Sequence, residues 1–193
     1  MDARLLSNGT VWLSPPTALD IDDITACCQQ PSVGRWTTMP VPYIRADAEK
    51  FIYDMVTPGW ADRSPTWALR LGEHAPVVGM IGLGPIDSRR DHNSAEIGFW
   101  LSAEVRGRGL MTQAVRLACD AAFAPDWLTL DRIEWRAIVG NHASAAVARR
   151  AGFQYEGLLR GGCVQRGTRL DSWIAARLRT DPPGPVPAWP DGV

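Results

Sequence analysis

The stretch Glu104-Val-Arg-Gly-Arg-Gly-Leu-Met-Thr-Gln-Ala114 decides how the chain folds around it. An apolar run, Ile97-Gly-Phe-Trp-Leu101, precedes it, and an alanine-rich segment reaching Phe123 follows. That order predicts a strand, a tight loop and a helix. Gly107 and Gly109 have no Cβ, so the loop backbone can approach a ligand closely. The first N–H groups of the helix lack partners within it. Together with the helix dipole they attract an anion, typically a phosphate. Arg106 and Arg108 add charge and forked donors that match phosphate geometry.

Two common phosphate loops fit poorly. A dinucleotide fold wants a third glycine where Thr112 stands, and a P-loop wants Gly-Lys-Ser/Thr, whereas Lys50 is the only lysine in the chain. Gly-x-Gly alone also serves simply to turn a chain, so the flanking segments matter. Residues 130–139 alternate Ile133, Trp135, Ala137 and Val139 with Arg132, Glu134 and Arg136, which predicts a strand. Strand 95–101, helix 110–124 and strand 132–139 then make a β-α-β unit, a parallel pair with a right-handed crossover. In the first strand Glu96, Gly98 and Trp100 fall on one side, and Ile97, Phe99 and Leu101 on the other.

Asn141 is a favourable N-cap for a short alanine-rich helix, 143–151, closed by Gly152. Strands 153–159 and 165–178 follow, with residues 166–168 at their turn. Upstream, 10–13 reads as a strand and 19–29 as a helix. Residues 31–43 read as a loop or short helices, and 46–55 as a second helix capped near Asp47. Strands 66–71 and 77–83 form a hairpin, and 89–94 a polar loop.

The 193 residues suffice for one domain with a real core, expected over residues 1–180. Five of the thirteen residues in 181–193 are proline, and this tail is expected to be unstructured. With 46% apolar and 21% charged residues the chain suits a soluble globular class. A net charge of −1 gives no bulk attraction to nucleic acid or an anionic membrane. No apolar run is long enough to span a bilayer, and the first residues lack a signal region. Cysteines at 27, 28, 119 and 163 fit neither a disulfide frame nor a zinc site, and histidines at 74, 92 and 142 show no metal spacing. Reduced thiols, no metal and a cytoplasmic location are therefore expected.

Strand, Arg-Gly-Arg-Gly loop, helix, strand and Asn141-His-Ala-Ser144-Ala-Ala-Val-Ala-Arg-Arg-Ala-Gly-Phe153, in that order, resemble the GNAT superfamily of acyl-CoA-dependent N-acyltransferases. The Ile97–Leu101 run and Asn-x-x-Ser resemble its RimJ/RimL branch, which acetylates protein N-termini and small amines. The likeness covers residues 66–178, with weaker support from 31–43. It implies an α/β fold of mixed α+β type: a central, mixed, mostly antiparallel twisted sheet with a splayed parallel strand pair and flanking helices. It implies acetyl-CoA as co-substrate, a primary amine as acceptor, and a homodimer. The pantetheine arm would lie along Phe99, Trp100 and Leu101 as another strand would. The pyrophosphate would sit on the amides of Arg106, Gly107, Arg108, Gly109, Leu110 and Met111. Thr112, Asn141 and Ser144 would add side-chain contacts. One departure is Glu104, where the family loop usually begins with Gln or Arg.

Direct attack of an amine on a thioester needs a held thioester, a base for the ammonium, a donor for the oxyanion and a proton for the leaving thiolate. A free main-chain N–H within 99–101 suits the oxyanion. Glu96 is the candidate base, directly or through water, because apolar neighbours raise a carboxyl pKa. A plain solvated carboxylate is the alternative, and Glu134 and Glu156 are weaker candidates. An α-amino group has a pKa of about 8, so a strong base is not required. Many family members carry a tyrosine seven residues after the Asn, where Ala148 stands here. Ser144 is the replacement acid this branch implies, against an ordinary polar residue in a first helical turn. Relatives that modify ribosomal proteins carry a carboxylate at the position matching Cys163. Trp36, Tyr43, Trp60 and Trp100 either wall an acceptor pocket or belong to the core. Two rivals stay open: an N-acyltransferase for a longer acyl-CoA, and a GNAT-shaped module that binds acyl-CoA without turnover. Glu104 and Ala148 favour the second rival; the glycine loop and Ser144 oppose it.

Overall fold

A computed structural model describes residues 3–84, 86, 93–187 and 189–193. Most of the expected polar loop at 89–94, and His92, lie outside the described residues. Among the described residues eight strands form one sheet in the order β1-β2-β3-β4-β5-β6-β8-β7. They are β1 (Leu6–Ser7), β2 (Trp12–Ser14), β3 (Thr66–Arg70), β4 (Gly79–Leu83), β5 (Ser94–Leu101), β6 (Arg132–Ile138), β7 (Gln154–Gln165) and β8 (Thr168–Leu178). Every neighbouring pair is antiparallel except β5 and β6, so the fold is the expected mixed sheet.

That parallel pair opens partway along. Its pairing ends at Ile97 opposite Trp135. Beyond it β5 stays with β4 as far as Leu101, while β6 stays with β8 as far as Ile138. From Gly98 onward the two strands have parted. The carbonyl of Glu96 accepts from Gly84 N–H, and Ser102 N–H donates to the carbonyl of Val78, so the even-numbered residues of β5 turn their main chain toward β4. By strand alternation the main-chain groups of Phe99 and Leu101 face the opening.

Helix α5 (Leu110–Phe123) crosses between β5 and β6. Ala114, Ala118 and Ala122 are fully buried along it, so the helix lies close to the sheet. Helix α6 (His142–Arg150) follows β6, and Ala145 and Ala148 give it the same close fit. Helices α1 (Ile21–Cys28) and α2 (Pro31–Gly34) precede a longer helical run.

That run departs from expectation. Helix α3 (Arg45–Lys50) does not stop at Met55; it passes through a π-helical segment, Phe51–Val56, into α4 (Thr57–Ala61). The N–H of Thr57 bonds to the carbonyl of Ile52, five residues back, and the π turn carries the chain past Pro58, which has no N–H of its own. At its start the Asp47 carboxylate accepts from Ile44 N–H at 2.9 Å. Two further differences concern strands. The short pairing of Leu6–Ser7 with β2 carries no sequence pattern of its own. The strand expected to end at Leu159 runs on to Gln165, with register shifts between Tyr155 and Gly157 and between Leu159 and Cys163.

The described residues of 181–193 form no helix or strand, yet they are held to the domain. Trp189 Nε1 donates to the Phe153 carbonyl at 3.0 Å, and Val186 N–H donates to the Arg149 carbonyl at 3.1 Å. The Trp189 ring packs on Trp135 and Tyr155, with centroids 5.5 and 5.7 Å apart.

Candidate active site

The glycine loop lies at the open end of the strand gap. Gly107 and Gly109 have φ of 76° and 72°, a region that side chains disfavour, and Gly109 is the N-cap of α5. A Cβ added at either would meet nothing within 4 Å, so both glycines border open space. Among the described residues, no main-chain N–H of residues 107–112 finds a protein acceptor. Six donors in sequence, in front of open space and at a helix start, fit a pyrophosphate. The Arg106 guanidinium turns back instead, donating from Nε and Nη2 to the Leu101 carbonyl at 2.9 and 2.7 Å. It thereby engages one of the two main-chain carbonyls facing the gap, and burial lowers its pKa. Arg108 and Glu104 are exposed.

On the far side of the gap stands α6. The Asn141 side chain accepts from Ser144 N–H at 3.3 Å as its N-cap, and among the described residues its amide nitrogen makes no hydrogen bond. Trp135, 1% exposed on β6, donates from Nε1 to Ser144 Oγ at 3.0 Å. The indole occupies a lone pair of that hydroxyl and leaves its proton available to another acceptor. A cavity of about 330 Å³ joins Arg106, the two glycines, Met111, Thr112, Asn141 and Ser144 to Phe99, Trp100 and Leu101. The residues expected along acetyl-CoA thus surround one continuous space, except that Arg108 does not line it.

A second cavity of about 390 Å³ lies deeper in the gap, lined by Glu96, Phe99, Trp135, Asn141, Ser144 and Cys163 among others. Half of the Glu96 side chain is in contact with solvent, and Arg136 Nε lies 3.6 Å from its carboxylate. Burial nonetheless raises the Glu96 pKa; Arg136 opposes the shift and Glu134 adds to it. The other two carboxylates are engaged. Glu134 pairs with Arg132 at 3.1 Å and with Arg136 at 2.9 Å. Glu156 takes both terminal nitrogens of Arg132, at 2.7 and 2.5 Å, which lowers its pKa. Both are held more closely by guanidinium groups than Glu96, which lies 3.6 Å from Arg136, and such close pairing disfavours accepting a proton.

The roof over the gap comes from residues 31–43. The tip of the β7–β8 hairpin fastens it: Gln165 Nε2 donates to the carbonyls of Arg35 and Thr37, and Arg166 to those of Gly34 and Met39. Trp36 lines both cavities. Trp100 and Tyr43 line a third, larger cleft beside Glu96. Trp60 does not belong with them. It is 7% exposed and packs edge-on against Trp67, with centroids 5.3 Å apart, in the core. Sequence reasoning missed Trp135, although its inward position on an alternating strand was a signal, and it missed the Gln165–Arg166 clamp, for which no local pattern exists. Among the described residues no group of three or more His, Cys, Asp or Glu comes together as a metal site, and no helix is long and apolar enough to cross a membrane.

A parallel pair that opens onto a glycine loop at a helix start defines a class of acyl-CoA-binding folds. Residues 10–154 match the acetyltransferase (GNAT) domain, and the chain belongs to that family. Among curated relatives, "Putative ribosomal N-acetyltransferase YdaF" of Bacillus subtilis (strain 168) is 39% identical over 95 residues, 49% of this chain and 50% of that protein. The chain thus spans about half the length of this relative. "Uncharacterized N-acetyltransferase p20" of Bacillus licheniformis is 27% identical over 170 residues, 84% of this chain and 91% of that protein. Among solved structures, Mycobacterium smegmatis RimJ in complex with CoA-disulfide superposes with a TM-score of 0.78 at 23% identity, covering 91% of this chain and 86% of that one.

Proposed function

We propose that this protein transfers the acetyl group of acetyl-CoA to a primary amine by direct attack in a ternary complex. The observation that carries this reading is the run of unpartnered N–H groups at 107–112, set at the mouth of a gap between parted parallel strands. Family membership and a fold neighbour solved with a CoA-disulfide support it.

In this reading the pyrophosphate rests on the free amides of residues 107–112, the Arg106 N–H expected among them being turned to the Ala103 carbonyl at 3.4 Å, and the pantetheine arm runs along Phe99 and Leu101. The thioester reaches the cavity shared by Ser144 and Glu96. Glu96 takes a proton from the incoming ammonium, directly or through water. The neutral nitrogen attacks the carbonyl carbon, and negative charge grows on the carbonyl oxygen. A gap-facing N–H of Phe99 or Leu101 stabilises it. The C–S bond breaks as the C–N bond is completed; Ser144 Oγ–H gives its proton to the thiolate, and the second proton of the now cationic nitrogen restores the serine hydroxyl, directly or through water. The homodimer and the cytoplasmic location belong to the same proposal; light scattering in solution tests the former.

Free-thiol release from acetyl-CoA, measured with N-terminal peptides, amino sugars, polyamines and simple amines, tests the whole. Release with an amine, with the acetylated product seen by mass, is expected. Tight acetyl-CoA binding with no release for any amine would reduce the chain to a binding module, and faster release from a longer acyl-CoA would change the donor.

A further inference from the structure

We infer that the acceptor is a small primary amine carried on a flat apolar body, which lies on a bare patch of sheet at Gly98, beside Gly82. This rests on the amine-acetylation reading above. The two glycines face each other across β4 and β5 in direct register. They share a sheet face with Met80, Glu96 and Trp100, because side chains two apart on a strand point the same way. Glycine within a strand weakens it and marks a place where another group approaches closely. At Gly98 the peptide plane is left exposed where a side chain would stand, while the Thr66 side chain reaches over Gly82 beside it.

Packing does not require Gly98. A Cβ added there would meet nothing within 4 Å, whereas one at Gly82 would lie 2.9 Å from Thr66 Oγ1. The space above Gly98 belongs to a cleft of about 1140 Å³. Phe51 and Met55 wall it from the π-helical segment, Tyr43 from the roof, and Met80 and Trp100 from the sheet. That volume suits a ring-bearing molecule, and apolar walls over a flat floor favour a flat one.

Charge fixes the polarity of the occupant. Asp54 and Asp62 line the cleft, are exposed, and make no hydrogen bond or ion pair among the described residues. Asp47 and Glu96 add two more carboxylates, against Lys50 alone. Such a mouth draws in an ammonium and repels a carboxylate. Glu96, Gly98 and Phe99 line both this cleft and the cavity holding Ser144, so an amine on a short arm reaches the thioester while its body lies on Gly98.

The test compares kcat/KM for 2-phenylethylamine and 2-(1-naphthyl)ethylamine with n-propylamine, phenylalanine and a phenylalanine-initiated tripeptide. The two arylalkylamines are expected to exceed the other three by at least about tenfold, the range a filled apolar pocket gives. Gly98→Val fills the floor with a residue strands favour, and is expected to lower the phenylethylamine-to-propylamine ratio by about tenfold or more. A preference for propylamine, phenylalanine or the peptide overturns the inference, and so does a ratio unmoved in a folded Gly98→Val protein. If no amine releases thiol although calorimetry shows acetyl-CoA bound, the acetylation reading itself fails, a result distinct from the wrong amine being preferred.

Discussion

Trp135 donates a hydrogen bond from its indole nitrogen to Ser144 Oγ at 3.0 Å, joining β6 to the first turn of α6. The bond sets which way the serine hydroxyl can point. In the proposed mechanism, with Ala148 in place of a phenol, this hydroxyl protonates the leaving thiolate. Ser144→Ala is expected to lower kcat by about 10²–10⁴-fold, the span for a lost general acid. The CoA dissociation constant should change little, because the phosphates are held by the glycine loop. A kcat within a few-fold of the parent, with chemistry rate-limiting, would make Ser144 a plain helix-start residue.

Trp135→Phe keeps most of the buried ring and removes only the donor. The hydroxyl of Ser144 is then free to rotate, and kcat is expected to fall by about fivefold, consistent with the loss of one hydrogen bond worth about 1 kcal/mol. Acetyl-CoA affinity should hold. Equal losses in kcat and in CoA affinity would mean that the indole supports the fold of the gap as a whole.

The Glu96 carboxyl titrates above its usual range, chiefly through burial, with Arg136 opposing the shift. A base works only when ionised, so kcat should rise with pH through that raised value. Arg136→Gln removes the opposing charge, and the acid limb should move to higher pH. Stability follows the opposite course: the folded state holds this proton more tightly than the unfolded chain, so Glu96 favours the fold at low pH. That contribution is lost as pH rises from the unfolded value through the folded one. Glu96→Gln should flatten Tm across that window. An acid limb unmoved by Arg136→Gln would exclude Glu96 as the base.

Gly109 adopts φ of 72° in front of open space. Gly109→Val forces a branched side chain into that conformation and into the path of the pyrophosphate. CoA affinity by calorimetry is expected to fall at least about tenfold, a loss of about 1.4 kcal/mol. Unchanged affinity in a folded variant would move the phosphates elsewhere.

The tail reaches the site through Trp189, whose ring packs on Trp135. Removing residues 182–193 takes away that contact and the hydrogen bond to Phe153. A loss of about 1–3 kcal/mol in denaturant unfolding is expected, with a fall in kcat carried through Trp135. A truncated chain of full stability would mean that the tail is only loosely laid on the domain.

The glycine loop, the β-α-β unit around it and the Asn141 cap were legible in residue order. Each depends on neighbours within a few positions: the period of apolar residues, the φ that only glycine accepts, the donors a helix start leaves bare. Glu96 could be named as a candidate for the same reason, since a strand fixes which way it points, whereas Ser144 was named through the family resemblance. Their surroundings could not be read in this way. Trp135 is nine residues from Ser144, and Arg166 clamps carbonyls more than a hundred residues away. Glu134 was the weaker candidate beside Glu96, and its ion pairs with Arg132 and Arg136 exist only in the folded chain. The helix expected to end at Met55 runs on through a π turn, whose Phe51 and Met55 wall the cleft. Local sequence determines backbone preference and face, because those follow from sterics between adjacent residues. Which side chains share a proton, a charge or a cavity is decided by sheet order and register, which bring distant residues within a few ångströms and exist only in the folded chain.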